Sequence, residues 1–525
     1  KTIAINPDYA HAHYNIGVVF QEQSKFAKAV LSYEKAIAIK PDYAQAHNNL
    51  GAVLHMQGYI DKAIACFNTA ISLKPDYAQA YYNLAFACQE QGQFNKAISC
   101  YQKALAINPD YVKAHSSLIF CLDLISDINT EQSKKEREKW AKQHAKPLQA
   151  FWTPFTNTPD PERKLRIGYV GADFNNHSAA NIFGPMLLNH DPNKFQIYCY
   201  AGNEIEDEVT EQFKKVATKW CSTNKIDDVG LAQQIKTDGI DILVDLASHS
   251  QGNRLLTFAR KPAPIQVTAW GYPHGTAMEA MDYLFADPIF IPKSERKKYT
   301  EKIVNLPNVI HLSSDIQFPE INPPPITQAG YVTFGAFNRL VKYNESVYRL
   351  WSEILHAIPT AKLLIKTSAL DFEKSCKEVQ SNFKKYGILP KRLILKGKTS
   401  KQEHLESHNL VDILLDPFPH NGGMTTLESL RMGVPVLSCE KKSPCPTSAS
   451  ILHVLGLDEW RAKDEGEYVD KAVQFAQDVQ LLKTLRKQLK GRFEKSVLGD
   501  SRLYVREVEV IYRQLWKKWC KKQKA

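Results

Sequence analysis

At 525 residues the chain is too long for one core and divides into about three to five domains or repeat blocks. Its 44% hydrophobic and 23% charged residues are ordinary for a globular protein, and no apolar run approaches the roughly 20 residues of a membrane helix. The formal net charge of +11 is dispersed except in "KSERKK" and the tail "WKKWCKKQKA", with no interleaved aromatics. It therefore points to anionic substrates rather than nucleic acid, and the tail reads as a solvated helix end. Ten cysteines without a CxxC pair or a Cys/His cluster exclude a zinc site and a disulfide framework. Reduced thiols predict a cytoplasmic or nucleocytoplasmic setting. A first residue that is Lys1 rather than methionine reads as a trimmed or partial chain.

The first 118 residues carry an internal repeat. Pro7, Pro41, Pro75 and Pro109 recur every 34 residues, as do Ala29, Ala63 and Ala97, the aromatics Tyr33, Phe67 and Tyr101, and Ala36, Ala70 and Ala104. Small residues at fixed helical positions let helices approach, and the aromatic fills the remaining gap. This period defines the tetratricopeptide repeat, a stack of antiparallel helix pairs that builds a superhelix. Residues 1–6 read as the end of a preceding repeat. Asn15, Asn49 and Asn83 share the same spacing, and Ser117 follows in their register. Asparagine is a poor helix former, so its recurrence favours a ladder of amides offered to an extended peptide backbone, although simple surface polarity is the alternative.

A helical connector over 119–163 leads to a different pattern, in which short apolar runs alternate with amphipathic segments. "KLRIGYVGADF", "KFQIYCYAG", "GIDILVDLAS" and "APIQVTAWGYP" predict the strands of a parallel α/β lobe over 164–318. A proline-rich linker at 319–330 follows. "YVTFGAFN", "AKLLIKTS", "RLILKGK", "VDILLDPF" and "VPVLSC" predict a second such lobe over 331–490, and residues 491–525 form a basic C-terminal helix. Two nucleotide-type lobes of this kind face each other across a cleft.

Ligands of open parallel sheets bind beyond the carboxyl ends of the strands. His177, Asp245, His249, Arg339, Lys342, Lys401, His404 and the run Asn421 to Glu428 all follow predicted strands. In "HNGGMTTLESL", Gly422 and Gly423 open a helix whose first N–H groups and dipole suit a diphosphate, with Thr425 and Thr426 as hydroxyl donors. Thr425 and Glu428 also have the spacing of a capping box, which needs no ligand. Glu428 accepting from ribose hydroxyls competes on equal terms. Lys342 is the candidate for chemistry. An ammonium about 4 Å from an anion in a partly closed site is worth several kcal/mol to a departing diphosphate. No acidic pair at a strand end calls for a metal, and no cofactor is expected.

Together, the repeats, "DFNNHS", "PAPIQVTAWGYP", "FGAFNRLVK", "SKQEHL" and "DPFPHNGGMTTLESLRMGVPV" resemble the O-linked N-acetylglucosamine transferases over essentially all 525 residues. The resemblance implies tetratricopeptide repeats in front of a GT-B fold of two Rossmann-like lobes. It also implies inverting, metal-independent transfer of N-acetylglucosamine from UDP-GlcNAc to protein Ser/Thr hydroxyls. By motif, His177 matches the active-site histidine, Lys342 the diphosphate lysine, and Lys401 and His404 the nucleoside pair. Thr425, Thr426 and Glu428 match the diphosphate and ribose segment.

Arg339, Met424, "YPHGTA" and Pro446 depart from the usual family pattern. Few residues separate the lobes, as in the compact bacterial or plant forms. The spindly-type plant relatives share this architecture and look like GDP-fucose users, so GDP-fucose is the alternative donor. A catalytically inactive repeat scaffold is the alternative outside enzymes.

Overall fold

The computed structural model describes residues 6–125, 130–270, 274–308, 317–440 and 446–524. The chain forms two compact units, Lys1–His144 and Ala145–Ala525. Of the positions singled out in the sequence, residues 1–5, Tyr272 and Pro273 of "YPHGTA", and 441–445 before Pro446 lie outside the described residues.

The first unit is helical throughout. Helices α1 (Ala10–Glu22) to α6 (Phe94–Ile107) form three antiparallel pairs with α2 (Phe26–Ile39), α3 (Ala44–Met56), α4 (Ile60–Leu73) and α5 (Ala78–Glu90). The layer continues through α7 (Val112–Asp123) and α8 (Thr130–Trp140), so the segment read as a connector divides at residue 144. The repeat spacing has a steric cause. Tyr33, Phe67 and Tyr101 are 0–1% exposed, and a Cβ at Gly17 or Gly51 would lie 2.6 and 2.7 Å from the facing Tyr33 and Phe67 rings. Glycine gives Tyr33 and Phe67 that space, and the smallest side chain, Ala85, holds the same register opposite Tyr101.

The second unit holds two parallel sheets. The first runs in the order β3-β2-β1-β4-β5-β6-β7. Its strands are β1 (Leu165–Gly171), β2 (Phe195–Ala201), β3 (Lys219–Ser222), β4 (Ile242–Asp245), β5 (Ile265–Thr268), β6 (Tyr283–Ala286) and β7 (Lys302–Asn305). The second runs β10-β9-β8-β11-β12-β13. It comprises β8 (Thr333–Ala336), β9 (Lys362–Lys366), β10 (Leu393–Lys396), β11 (Ile413–Leu415), β12 (Val436–Cys439) and β13 (Arg461–Ala462). β1, β4, β5, β8 and β11 are buried along most or all of their length, as strands covered by helices on both faces must be. The order reverses between β1 and β4 and between β8 and β11, which are the two places where loops diverge and leave room for a ligand. β3, β6, β7 and β13 have no counterpart in the sequence reading.

Five further helices concern the site: α9 (Glu345–Ala357), α10 (Lys401–Glu406), α11 (Met424–Arg431), α12 (Thr447–Val454) and α13 (Ser501–Lys524). Helix α13 is the C-terminal segment, and its apolar stripe belongs to the first lobe. Tyr504, Val505, Val508, Tyr512, Leu515 and Trp516 pack with Tyr169, Phe195 and Val267. The Trp516 indole donates to the Asp160 carbonyl at 2.7 Å, and the Arg163 guanidinium lies 4.6 Å from its ring. The basic tail is thus solvated only on its outer face.

Trp516→Ala is expected to lower stability by about 3–5 kcal/mol through the cavity left in the first lobe. Urea unfolding followed by circular dichroism measures it, and a loss near zero would place α13 outside that core.

Candidate functional site

The loops after β8 and β11 are stitched to each other at the second sheet's switch point. From the first, the Lys342 ammonium donates to the Asn421 carbonyl at 2.7 Å. The Asn338 amide donates to the Thr425 hydroxyl at 3.2 Å, and the Asn344 amide to the Phe418 carbonyl at 3.0 Å. Asn344 also caps α9 through the Val347 N–H. The buried Tyr343 hydroxyl donates to the carbonyls of Ala336 and Asn338, so the short helical turn that ends in Lys342 is tied down from beneath.

The glycine loop is held through its peptide groups. Asp416, at the end of β11 and fully buried, accepts from the Gly422 N–H at 2.6 Å. A Cβ at Gly422 would lie 2.5 Å from Thr426 Oγ1, 2.7 Å from Thr425 Oγ1 and 2.9 Å from Asp416 Oδ1. Glycine is required there because the two threonines and the aspartate close around the backbone. Gly423 is the N-cap of α11, and no side chain caps that helix. The N-terminal dipole of α11 is therefore offered to whatever lies beyond the loop.

Glu428 does not cap α11, contrary to the capping-box alternative. It is 4% exposed, and its carboxylate is bonded to the Lys401 ammonium and, at 3.3 Å, to His404 Nε2. The capping box belongs one motif earlier: Ser400 and Glu403 satisfy each other's backbone donors at the start of α10, which aims Lys401 and His404 at Glu428. Burial would raise the Glu428 carboxyl, but the His404 hydrogen bond and the Lys401 charge overcome it and hold the group down at about 2. Phe337, His404 and His408 pack ring to ring beside this pair, with centroids 4.7–5.8 Å apart. Burial pushes His408 down to about 4, so it is neutral at physiological pH.

These bonds join Lys342, Asn421, Gly422, Thr425, Thr426, Glu428, Lys401 and His404 into one region. Arg339 is exposed on its flank, and Met424 packs against the core of the second lobe. His177 and His249 stand at the switch point of the first sheet instead. His177 follows β1 with its side chain 52% exposed and 3.5 Å from the Asp173 carboxylate. His249 is buried after β4, in a turn closed by Asp245, which accepts from the N–H groups of Ala247 and Ser248 and from the Thr268 hydroxyl. In the repeats, Asn15 is exposed on α1. Asn49 donates to the Tyr14 hydroxyl at 3.0 Å, and Asn83 donates to Asn48 at 2.9 Å and accepts from Gln79 at 3.0 Å. The amides at 49 and 83 thus spend part of their hydrogen-bonding capacity tying repeats together.

Sequence reasoning passed over Asn338, Asn344, Asp416 and Ser448 as site residues. All four stand at strand ends or helix starts, the positional signal that picked out the others; Asn338 bonds to the Thr425 hydroxyl and the other three to loop peptide groups, contacts that spacing does not reveal.

Two parallel α/β lobes with paired switch points, preceded by tetratricopeptide helices, define a repeat-bearing GT-B protein. The chain matches glycosyl transferase family 41 over residues 105–321 and 327–508 and belongs to that family. Tetratricopeptide repeats match over 22–58 and 42–110. It is 34% identical over 406 residues to the probable UDP-N-acetylglucosamine–peptide N-acetylglucosaminyltransferase SPINDLY of Solanum lycopersicum, covering 76% of this chain and 44% of that protein. The Oryza sativa SPINDLY protein gives the same identity and coverage. The chain therefore spans less than half the length of these curated relatives. A solved lysine-to-methionine mutant of the Thermobaculum terrenum O-GlcNAc transferase superposes with a TM-score of 0.88 at 30% identity, over 98% of both chains.

Glu428→Gln is expected to cost roughly 3 kcal/mol at neutral pH, from a carboxyl held near 2 against an ordinary 4.5. A depressed acid stabilises fully above its unfolded value and loses that contribution as pH falls through its folded one. The gap between variant and wild type in urea titrations should stay constant down to about pH 5 and narrow below it. A gap that widens on acidification would show that Glu428 is not held as an anion.

Proposed function

We propose that the chain transfers N-acetylglucosamine from UDP-GlcNAc to serine and threonine hydroxyls of proteins. The observation that carries this reading is the cationic side chain of Lys342 on the glycine loop, beside an uncapped helix start and a buried, ionised Glu428. A nucleoside diphosphate sugar presents complementary groups: a pyrophosphate for the lysine and the α11 dipole, and ribose hydroxyls for the carboxylate. Lys401 and His404, with the Phe337 ring behind, face the nucleoside.

In this reading the reaction begins when an acceptor hydroxyl attacks the anomeric carbon from the face opposite the diphosphate, so configuration inverts, the nucleoside diphosphate leaves and the hydroxyl proton passes to solvent. As the bond to the diphosphate breaks, Lys342 and the N–H groups opening α11 stabilise the charge on the leaving oxygens. The same positive groups remove the need for a metal. His177, exposed and beside Asp173, takes the place next to donor and acceptor, and His249 lines the donor side; Arg339 adds a second cation at the mouth. The repeat asparagines Asn15, Asn49 and Asn83 bind acceptor backbone with the capacity their inter-repeat bonds leave over. Among the described residues no helix is long and apolar enough to cross a membrane. We assign the enzyme to the cytoplasm, or to the nucleocytoplasmic space of a eukaryotic cell.

The GDP-fucose alternative draws on the same motifs, while the SPINDLY relatives carry UDP-N-acetylglucosamine in their names. Thermal-shift titration separates the two: UDP should stabilise the protein and GDP should not. Stabilisation by GDP alone would overturn the donor. With labelled UDP-GlcNAc and a protein extract, Lys342→Met is expected to lower transfer at least about 100-fold while circular dichroism shows the fold intact. Near-normal turnover in that variant would remove the mechanism, and no labelling by the wild type would leave the inactive-scaffold reading.

A further inference from the structure

Two serines on α12 reach in different directions. Ser448 and Ser450 are 0% and 2% exposed, and residues two apart on a helix point about 200° from each other. The Ser448 hydroxyl donates to the Gly422 carbonyl at 3.1 Å and lies 2.8 Å from Thr426 Oγ1. It therefore grips the glycine loop at the peptide after the one Lys342 holds. The Ser450 hydroxyl donates to the Asp287 carboxylate and accepts from the Asn308 amide at 2.7 Å. Asp287 follows β6 and Asn308 follows β7, so this second grip is on the first lobe.

Both partners of Ser450 are themselves anchored. Asp287 accepts from the N–H groups of Ile289 and Phe290 at 2.9 and 2.8 Å. The Asn308 carbonyl accepts from the Tyr504 hydroxyl of α13 at 3.0 Å, and that hydroxyl accepts from the Trp270 indole at 2.8 Å. Every link from the first lobe's core to Gly422 is backbone, a fixed ring or a short side chain. A serine has one side-chain torsion, so little motion is absorbed along the way.

We infer that Ser448 and Ser450 are positioning residues, through which α12 couples the placement of the first lobe to the shape of the loop at 421–428. The inference rests on the reading of that loop as the donor site. A shift of the first lobe moves Asp287 and Asn308, hence α12, hence the carbonyl of Gly422 and the hydroxyl of Thr426. Two groups that must meet across two lobes, His177 on one and Lys342 on the other, are brought into register by such a link.

Hydrogen–deuterium exchange on the full chain tests it, with Ser448→Ala, Ser450→Ala and Asp287→Asn. Ser450→Ala should raise amide exchange over residues 421–427 at least about 3-fold, although Ser450 bonds to none of them. Calorimetric titration with UDP and with GDP should show the bound nucleotide weakened about 10-fold in both serine variants. Asp287→Asn, which keeps the shape of the side chain, should move both readouts the same way by less, and it carries the test if Ser450→Ala melts far below the wild type. Exchange that rises only around residues 287, 308 and 450, with 421–427 and nucleotide affinity unchanged, would overturn the coupling. A wild type that transfers no sugar, with the exchange response intact, would overturn the proposed reaction and leave the coupling standing.

Discussion

The bond from the Lys342 ammonium to the Asn421 carbonyl is the constraint on which the second lobe's site depends. Two loops leave a parallel sheet in opposite directions at its switch point, and nothing in the sheet itself holds them together. Here a charged donor does so, in a half-buried setting where such a bond is worth roughly 1.5–3 kcal/mol. Once it is made, Asn338 and Asn344 fall opposite Thr425 and Phe418, and the glycine loop has one available path. Gly422 must follow that path because any side chain there would collide with Thr425, Thr426 and Asp416. The peptide groups that would bind an anion are thus set before one arrives, which is what preorganisation means for a site that acts by electrostatics.

The two lobes are less separate than a linear reading suggests. Leu498 closes the core of the second lobe, and six residues later Tyr504 is buried in that of the first. The chain thereby returns across both lobes, and its last helix contributes the largest buried rings of the first one. Tyr504 joins the two roles, since its hydroxyl receives the Trp270 indole and supports Asn308, the residue that meets α12. The first lobe's core is completed by residues from the far end of the chain.

Much of this was legible in the sequence where a residue's role is repeated or positional. The 34-residue period exposed the repeats because each aromatic needs a small neighbour, glycine or alanine, and the glycine pair falls where the backbone at Gly422 is crowded. Strand ends marked Lys342, Lys401, His404 and Glu428, since a parallel sheet leaves few other places for polar groups to converge. Partnership was not legible. Thr425 and Glu428 fit a capping box by spacing, yet that box forms at Ser400 and Glu403, and Glu428 turns inward to Lys401 and His404. Spacing alone cannot distinguish these, because the choice is made by a helix that starts 27 residues earlier and brings a cation. The asparagines at 49 and 83 show the same limit: their recurrence is visible, but their bonds to neighbouring repeats depend on superhelical packing.

Asp416 and Glu428, twelve residues apart on one strand–loop–helix segment, show how environment divides two buried carboxyls between tasks. Burial pushes Asp416 up to about 6, against weaker pulls from Ser448, the Lys342 charge and the Gly422 N–H. Glu428 suffers comparable burial but is driven down to about 2 by a histidine and a lysine in direct contact. The separation follows from partners and not from depth. Asp416 sits behind the glycine loop, still largely ionised at neutral pH, and its carboxylate is taken up by the Gly422 N–H and the Ser438 hydroxyl. Glu428, with its charge secured by Lys401 and His404, stays an acceptor at any physiological pH and suits hydroxyl donors.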